Sequence, residues 1–329
     1  VDNLIISGLT EPRGSDGSGS DGSIPHHDIG PRERAPRLAL VADLQGQDLN
    51  GMFVLSRLAA FLRDIAMGQR RDLRLCERVL IIPTIGNTPH TQVAGAQQAA
   101  WLRWAMTEAV ATVTQAAYYR VAIYPSVDVE EMPQVWLYAP NDDERASACL
   151  FGLPAVIERP LEPGDAPALI RAWRPRGGEN FALHAGRASG GLQMGHCESL
   201  FRALVAFLDR TGIVRGLRLA NEEEYLGYFG LRQVFTVLAE QAGIFSSCQE
   251  VGRWVRAGEE LGQVYDGFTG GERARVVAPV AGLLAGLRRQ PLLREGDLVA
   301  SILMPDRVAR WERSRLRGEP HERRVRVRS

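Results

Sequence analysis

His184, His196 and Cys197 are residue types that bind zinc or act as bases and nucleophiles, and a glycine-rich stretch, 185–195, separates the two histidines. With Asp48 or His90 alongside, they would supply the three or four donors that zinc requires. The plainer reading is that His196 and Cys197 open a helix and that His184 is a hydrogen-bonded pocket residue. A cysteine nucleophile is a further reading, because a thiolate at a helix N-terminus is stabilised and His196 is the neighbour of Cys197. Sequence neighbours at a helix start point in different directions, however, and a free cysteine is usually a small buried hydrophobe.

Other groups invite a bland explanation beside a functional one. His26 and His27 lie in a Gly/Ser/Asp tract and read either as a metal-binding pair or, as is commoner, as part of a solvated arm. Trp101 and Trp104, three apart on an alanine-rich helical stretch, are either an exposed stripe or, as is commoner at this spacing, core-facing. Arg70, Arg71, Arg74 and Arg78 read as a solvated helix end or as a seat for an acidic partner. The segment 127–144 (VDVEEMPQVWLYAPNDDE) is acidic and aromatic and reads as a docking surface.

Composition narrows the classes. Of 329 residues, 45% are hydrophobic and 24% charged, which is enough apolar material for a real core. The 39 basic and 39 acidic residues cancel, against a nucleic-acid or anionic-membrane binder. No lysine occurs, so every basic residue is arginine, and Schiff-base and P-loop lysine chemistry are excluded. The cysteines Cys76, Cys149, Cys197 and Cys248 are scattered without a CxxC pair, which predicts reduced thiols and a cytoplasmic protein. No run approaches the roughly 18 apolar residues of a membrane span, and no signal-peptide order opens the sequence.

The elements that must position these groups follow from periodicity. Residues 1–35 read as a flexible arm. Short apolar runs at 37–42 (RLALVA), 78–83 (RVLIIP), 119–124 (YRVAIY) and 180–183 (NFAL), with a shorter one at 155–157, predict buried strands. They alternate with helical patterns after Gly51, over 94–117 and over 196–211, which predicts a three-layer α/β unit over 36–216 with a mostly parallel sheet. From 217 to 305, short β-runs broken by glycine predict a small β-sandwich or barrel. An Arg-rich tail, 306–329, closes the chain.

The later segments AGIF (242–245), VGRWVRAGEELGQVYD (251–266), VVAPVAGLLAGL (276–287) and LREGDLVASI (293–302) resemble the C-terminal β domain of the succinylglutamate desuccinylase/aspartoacylase family. That domain has a lipoyl-like turn pattern. Without lysine the chain cannot be a covalent swinging arm. The N-terminal half follows the order of the family's zinc-carboxypeptidase-like core, so the resemblance covers about Pro36 to Leu303 and implies that fold.

The same resemblance, taken residue by residue, implies a lost active site. The family's His-Gly-Asp-Glu-x-x-Gly loop, whose His and Glu bind zinc, stands here as Gln45-Gly46-Gln47-Asp48-Leu49-Asn50-Gly51. An amide is a poor zinc ligand, and Asp48 is one methylene shorter than glutamate. The second zinc histidine, in Asp-Leu-His, corresponds to Pro125, which has no side-chain donor. The catalytic glutamate of Glu-x-Gly corresponds to His184 in His184-Ala185-Gly186, and no Asp-x-Asn-Arg carboxylate clamp follows Gly86-Asn87-Thr88-Pro89.

The expectation is a pseudoenzyme of this family with no metal or other cofactor. It would act with a protein partner, as an enzyme subunit or by self-association, and engage neither nucleic acid nor membrane. Asp48, Tyr124, His184 and Arg187 line its former pocket, with Arg187 the one residue able to restore a carboxylate clamp. The alternative is a zinc-dependent amidohydrolase of N-acyl amino acids, rebuilt around His184, His196, Cys197 and Asp48.

Overall fold

In the computed structural model the chain is described over residues 2–5, 23–42, 48–84, 96–188, 191–219 and 226–305. It begins with two antiparallel strands, β1 (Asp2–Ile5) and β2 (Ser23–Ile29). The α/β unit follows in the order β3 (Leu38–Val41), α1 (Leu49–Ala66), β4 (Arg74–Leu75), β5 (Val79–Ile82), α2 (Ala96–Thr114), β6 (Tyr119–Ser126), β7 (Val129–Tyr138), α3 (Asp142–Ala148), β8 (Ala155–Arg159), α4 (Ala168–Trp173), β9 (Glu179–Arg187), α5 (Met194–Arg210) and β10 (Val214–Arg215). The remaining strands are β11 (Gly227–Phe229), β12 (Val234–Leu238), β13 (Gly243–Ser247), β14 (Trp254–Val255), β15 (Glu260–Tyr265), β16 (Glu272–Val277), β17 (Gly282–Arg288), β18 (Leu292–Leu293) and β19 (Leu298–Leu303).

The expected parallel sheet is present as β5-β3-β6-β9, with Leu38 opposite both Val79 and Tyr119, and Val121 opposite Phe181. The centres of these strands are apolar because both faces are covered, and the buried Arg120 and Asn180 near the starts of β6 and β9 hydrogen-bond to each other. On one face, α1 and α5 pack Leu55, Leu58, Leu62, Leu204 and Phe207 against Leu40, Val121 and Phe181. On the other, α2 and α4 pack Val110, Ile170 and Trp173 against Val41, Ala122 and Ala182.

Several expectations are corrected. Residues 1–35 are not simply an arm, because β2 pairs antiparallel with β5 and extends the sheet. Ile24 and Ile29 bury their side chains there, His26 is buried with Nδ1 3.1 Å from the Ile24 carbonyl, and Arg78 donates to Asp28 at 2.7 Å. His26 and His27 therefore belong to a strand rather than a solvated tract. Arg78 is thereby separated in role from Arg70, whose guanidinium lies 5.0 Å over the Phe61 ring. Trp104 is 62% exposed. Met106, Ala109, Val110 and Val113, at helical i, i+3, i+4, i+7 spacing, carry the packed stripe of α2, and Trp104 lies well off it. The Trp101 side chain and the tail 306–329 lie outside the described residues.

The largest correction concerns 127–144. Rather than a docking surface, it forms β7 and α3, and β7 is the junction of the molecule. It pairs antiparallel with β9 on one side, while on the other its end (Val135–Tyr138) pairs with β8 and its start (Val129–Glu131) pairs with β17. Pro133 sits in the irregularity between Glu131 and Gln134, where the β9 ladder skips; a bulge is where a sheet tolerates proline.

Consequently the expected boundary at 216/217 is bridged by strand pairing. β11 joins β8 in parallel, and β17, β19 and β12 continue the 13-stranded sheet. The expected β domain is recognisable in the separate four-stranded antiparallel sheet β16-β15-β13-β18, which encloses Phe245, Leu261 and Val264 against Leu284, Leu287 and Ile302. At the seam, Met132, Ala155 and Ile157 pack with Phe229, Leu283 and Leu303.

Candidate functional site

The sequence singled out the ends of β6 and β9 and the start of α1, and these meet at the C-terminal edge of the parallel strands, where open α/β sheets place their ligands. Tyr124 on β6 is directly opposite His184 on β9, and His184 is directly opposite Gln134 on β7. Direct cross-strand partners share a face, so these three side chains form a row across adjacent strands. Trp136, two residues beyond Gln134, stacks on the His184 ring with centroids 3.9 Å apart and planes 17° from parallel. The Arg159 guanidinium lies 4.3 Å over the same indole.

His184 is held from behind. Its Nδ1 lies 3.0 Å from Glu131 Oε2, and a carboxylate can only accept, so Nδ1 carries a proton and donates, with Nε2 on the far side of the ring. That Nε2 is buried with no partner, and so are Tyr124 Oη, Gln134 Oε1 and Trp136 Nε1. A buried polar atom left unmet costs about 1–3 kcal/mol, so four beside one another are an unusual concentration. Burial, with Tyr138 nearby, pushes the Tyr124 hydroxyl far above the usual phenol range and keeps it protonated.

Asp48 has a different task. Its Oδ1 accepts from the Gly51 amide at 2.8 Å and caps α1. A Cβ at position 51 would run into Asp48 Oδ2, which explains the glycine of that loop. Gln45 and His90 lie outside the described residues. Pro125 is the penultimate residue of β6, is half-buried and offers no donor.

His196 stands at the start of α5, as expected, but its Nε2 is 2.8 Å from Glu130 Oε1. Glu130 Oε2 in turn receives Arg289 Nε at 2.6 Å, and Arg289 also reaches Ser247 Oγ and the Gln249 carbonyl. The His196 hydrogen bond, aided by Arg289, holds the Glu130 carboxyl at about 2 against the opposing effect of burial. This chain of charge ties α5 to the β domain.

Cys197 is wholly buried, and its thiol lies 3.4 Å from Asn50 Oδ1. Burial and the nearby Asp48 charge push the thiol up, the opposite of what a nucleophile needs, which overturns that reading. Asn50 and Gln193 bond reciprocally, Asn50 Nδ2 to Gln193 Oε1 at 3.1 Å and Gln193 N to Asn50 Oδ1 at 2.9 Å. They close on Gly186, whose φ of +69° and contact with Gln193 Oε1 leave no room for a side chain. Arg187 follows with its amide on Gln193 Oε1 at 2.7 Å and with its Nε buried and unpartnered.

Among the described residues, no group of three or more His, Cys, Asp and Glu is placed to hold a metal. His184, His196, Cys197 and Asp48 are not brought together as a ligand set; each is committed to a different neighbour, Glu131, Glu130, Asn50 and the cap of α1. Among the described residues, these four do not form the set of about three protein donors with an open position that a catalytic zinc needs. Sequence reasoning missed Glu130, Glu131, Gln134 and Trp136. The alternation of Val135 and Leu137 with Gln134 and Trp136 was the available signal for a strand, but the acidic pair and Pro133 obscured it.

No family model and no curated protein matches the sequence. Solved structures do match. A succinylglutamate desuccinylase/aspartoacylase from Rhodobacter sphaeroides superposes with a TM-score of 0.62 at 16% identity, covering 86% of this chain and 90% of that one. The product-bound ectoine utilization protein EutE (DoeB) from Ruegeria pomeroyi gives 0.62 at 18% identity, over 86% and 89%. A putative succinylglutamate desuccinylase/aspartoacylase from Shewanella frigidimarina gives 0.62 at 14%, over 88% and 95%. The chain therefore has the fold of the succinylglutamate desuccinylase/aspartoacylase structures, with their carboxypeptidase-like α/β layers and added β strands. No helix among the described residues is long and apolar enough to cross a membrane.

Proposed function

We propose that this chain is a catalytically degenerate form of the succinylglutamate desuccinylase/aspartoacylase scaffold. In this reading it works in the cytoplasm by binding, as a regulatory or scaffolding subunit alongside an enzyme or a second copy of itself. The observation that carries the reading is His184. It stands where the resemblance places a catalytic glutamate, and its Nδ1 is committed to Glu131 while its ring is stacked on Trp136. Pro125 at a zinc-ligand position and the use of Asp48 as a helix cap support the same conclusion. The rebuilt-metal alternative finds no support in the placement of His196 and Cys197, which are bonded to Glu130 and Asn50.

The test is metal analysis of the purified chain together with hydrolysis assays on N-acetyl-aspartate and N-succinyl-glutamate. The expected result is far less than one zinc per chain and no turnover, with neither compound binding below millimolar concentration. Near-stoichiometric zinc, lost in a His184→Ala/His196→Ala double variant, would overturn the reading. So would micromolar binding of either compound that Arg187→Ala abolishes.

A further inference from the structure

The fold divides the basic cluster of residues 70–78. Arg70 lies over the Phe61 ring and Arg78 is paired with Asp28. Arg74 instead stands on β4 directly opposite Arg215 of β10, in a two-stranded antiparallel sheet of their own. Direct cross-strand partners share a face, with Cβ atoms about 5 Å apart, and like charges placed so repel. Both residues are exposed, and among the described residues neither guanidinium meets a carboxylate.

These two arginines line a cleft of about 670 Å³, a volume typical of small-molecule sites. Ile65 at the end of α1, with Leu73 and Leu75 beside it, gives the cleft an apolar part. The segment 30–34 forms another wall and is fixed in place. Gly30 has a φ of +111°, and a Cβ there would lie 2.7 Å from the Glu77 carbonyl oxygen. Arg34 donates to Glu77 Oε1 at 3.2 Å and to the Cys76 carbonyl at 3.4 Å. Arg34 and Glu77 thus satisfy each other, leaving Arg74 and Arg215 as the cations of the lining and Glu33 as its remaining acid. The cleft lies where β4 leads into β5, at the start of the parallel strands, whereas Tyr124 and His184 stand toward their other end.

We propose that this cleft binds a small molecule that carries one phosphate group on an uncharged, largely apolar body. The phosphate bridges Arg74 and Arg215, whose planar guanidinium forks match its oxygens in charge and geometry and repel each other without it. The body rests on Ile65, Leu73 and Leu75. Glu33 opposes a second anionic group, which favours a monoester over a polyphosphate or a nucleic acid. The site is separate from the one around His184 and holds whichever way the function of that site is decided.

Calorimetry on the full chain at low salt, with phenyl phosphate, inorganic phosphate and phenol, tests this. Phenyl phosphate is expected to bind about tenfold more tightly than inorganic phosphate, through burial of its ring, and phenol is expected not to bind. Arg74→Gln and Arg215→Gln should each weaken phenyl phosphate by about tenfold or more, because each removes charge-assisted hydrogen bonds. Their ligand-free melting temperatures should hold or rise, since each relieves the like-charge pair. Arg70→Gln, a charge change outside the lining, should leave the affinity unchanged. In the unmodified protein, phenyl phosphate should slow alkylation of Cys76, which lines the cleft with its thiol 3.7 Å from the Arg74 carbonyl oxygen, and should not slow that of the exposed Cys248. Affinity no better than millimolar would overturn the proposal, as would inorganic phosphate binding as tightly as the ester. So would an equal loss in Arg70→Gln, a lowered melting temperature in both ligand-free arginine variants, or an unprotected Cys76. Zinc content and hydrolysis bear on the former pocket and leave this inference untouched.

Discussion

Glu131 Oε2 lies 3.0 Å from His184 Nδ1, while its neighbour Glu130 places Oε1 2.8 Å from His196 Nε2. Two consecutive carboxylates on one strand thus hold the two histidines that the sequence offers as a metal pair. Each histidine is fixed by a different local demand, one at the sheet edge and one at the seam with the β domain.

Removing the first carboxylate exposes what it supports. Glu131→Ala leaves a buried imidazole N–H without an acceptor and should cost about 1–3 kcal/mol of stability, whereas Glu131→Gln keeps an acceptor and should cost less. Urea denaturation of the two variants measures the difference. Equal stabilities would show that the contact with His184 contributes nothing.

The second carboxylate should show in acid. The Glu130 carboxyl, ordinarily near 4.5, is held at about 2 in the folded chain. A depressed carboxyl contributes stability that is fully present above its unfolded value and is lost as pH falls toward the folded one. Wild type should therefore lose roughly 1–2 kcal/mol relative to Glu130→Gln between about pH 5 and pH 2, after allowance for solvent screening. Melting curves of both proteins across that range give the comparison, and parallel curves would refute it.

Thiol chemistry separates the cysteines. Cys197 is fully buried with its thiol pushed up, while Cys248 is exposed. A thiol reagent should label Cys248 in the native protein and reach Cys197 only on unfolding. Rapid native labelling of Cys197, read by peptide mass, would contradict the packing around Asn50.

The seam predicts that the β strands cannot be cut away. Met132, Ala155 and Ile157 are covered by Phe229, Leu283 and Leu303, and β17 continues the sheet beyond β7. A chain ending at Gly216 exposes that apolar surface and part of one edge of β7, and should aggregate rather than melt cooperatively. Size-exclusion chromatography and circular dichroism decide the matter; a monomeric, cooperatively melting fragment would show the two parts to be independent.

Much of the fold was legible in residues alone. The runs at 37–42, 78–83, 119–124 and 180–183 have no polar alternation, which only strands covered on both faces can afford, and they occupy the centre of the sheet. Gly51 and Gly186 stood out only as members of short motifs, and the structure supplies their reason, a side-chain atom where a Cβ would stand. The candidate site was half legible. Tyr124, His184 and Arg187 lie at the strand ends where the pattern placed them, whereas Glu131, Gln134 and Trp136 were hidden in a segment whose charge and proline resembled a surface loop.

The sequence by itself determined the strand–helix alternation and the residue types at the ends of the central strands, Tyr124 and Pro125 on one and His184 and Arg187 on the other. Each of these is a property of local pattern or of a side chain's own donor atoms. Only tertiary structure decided that β2 extends the sheet beyond β5, that β7 runs within it, and that His184 and His196 face different carboxylates. Those outcomes depend on which distant strands pair, and pairing is selected by the burial of whole faces rather than by any short run of residues.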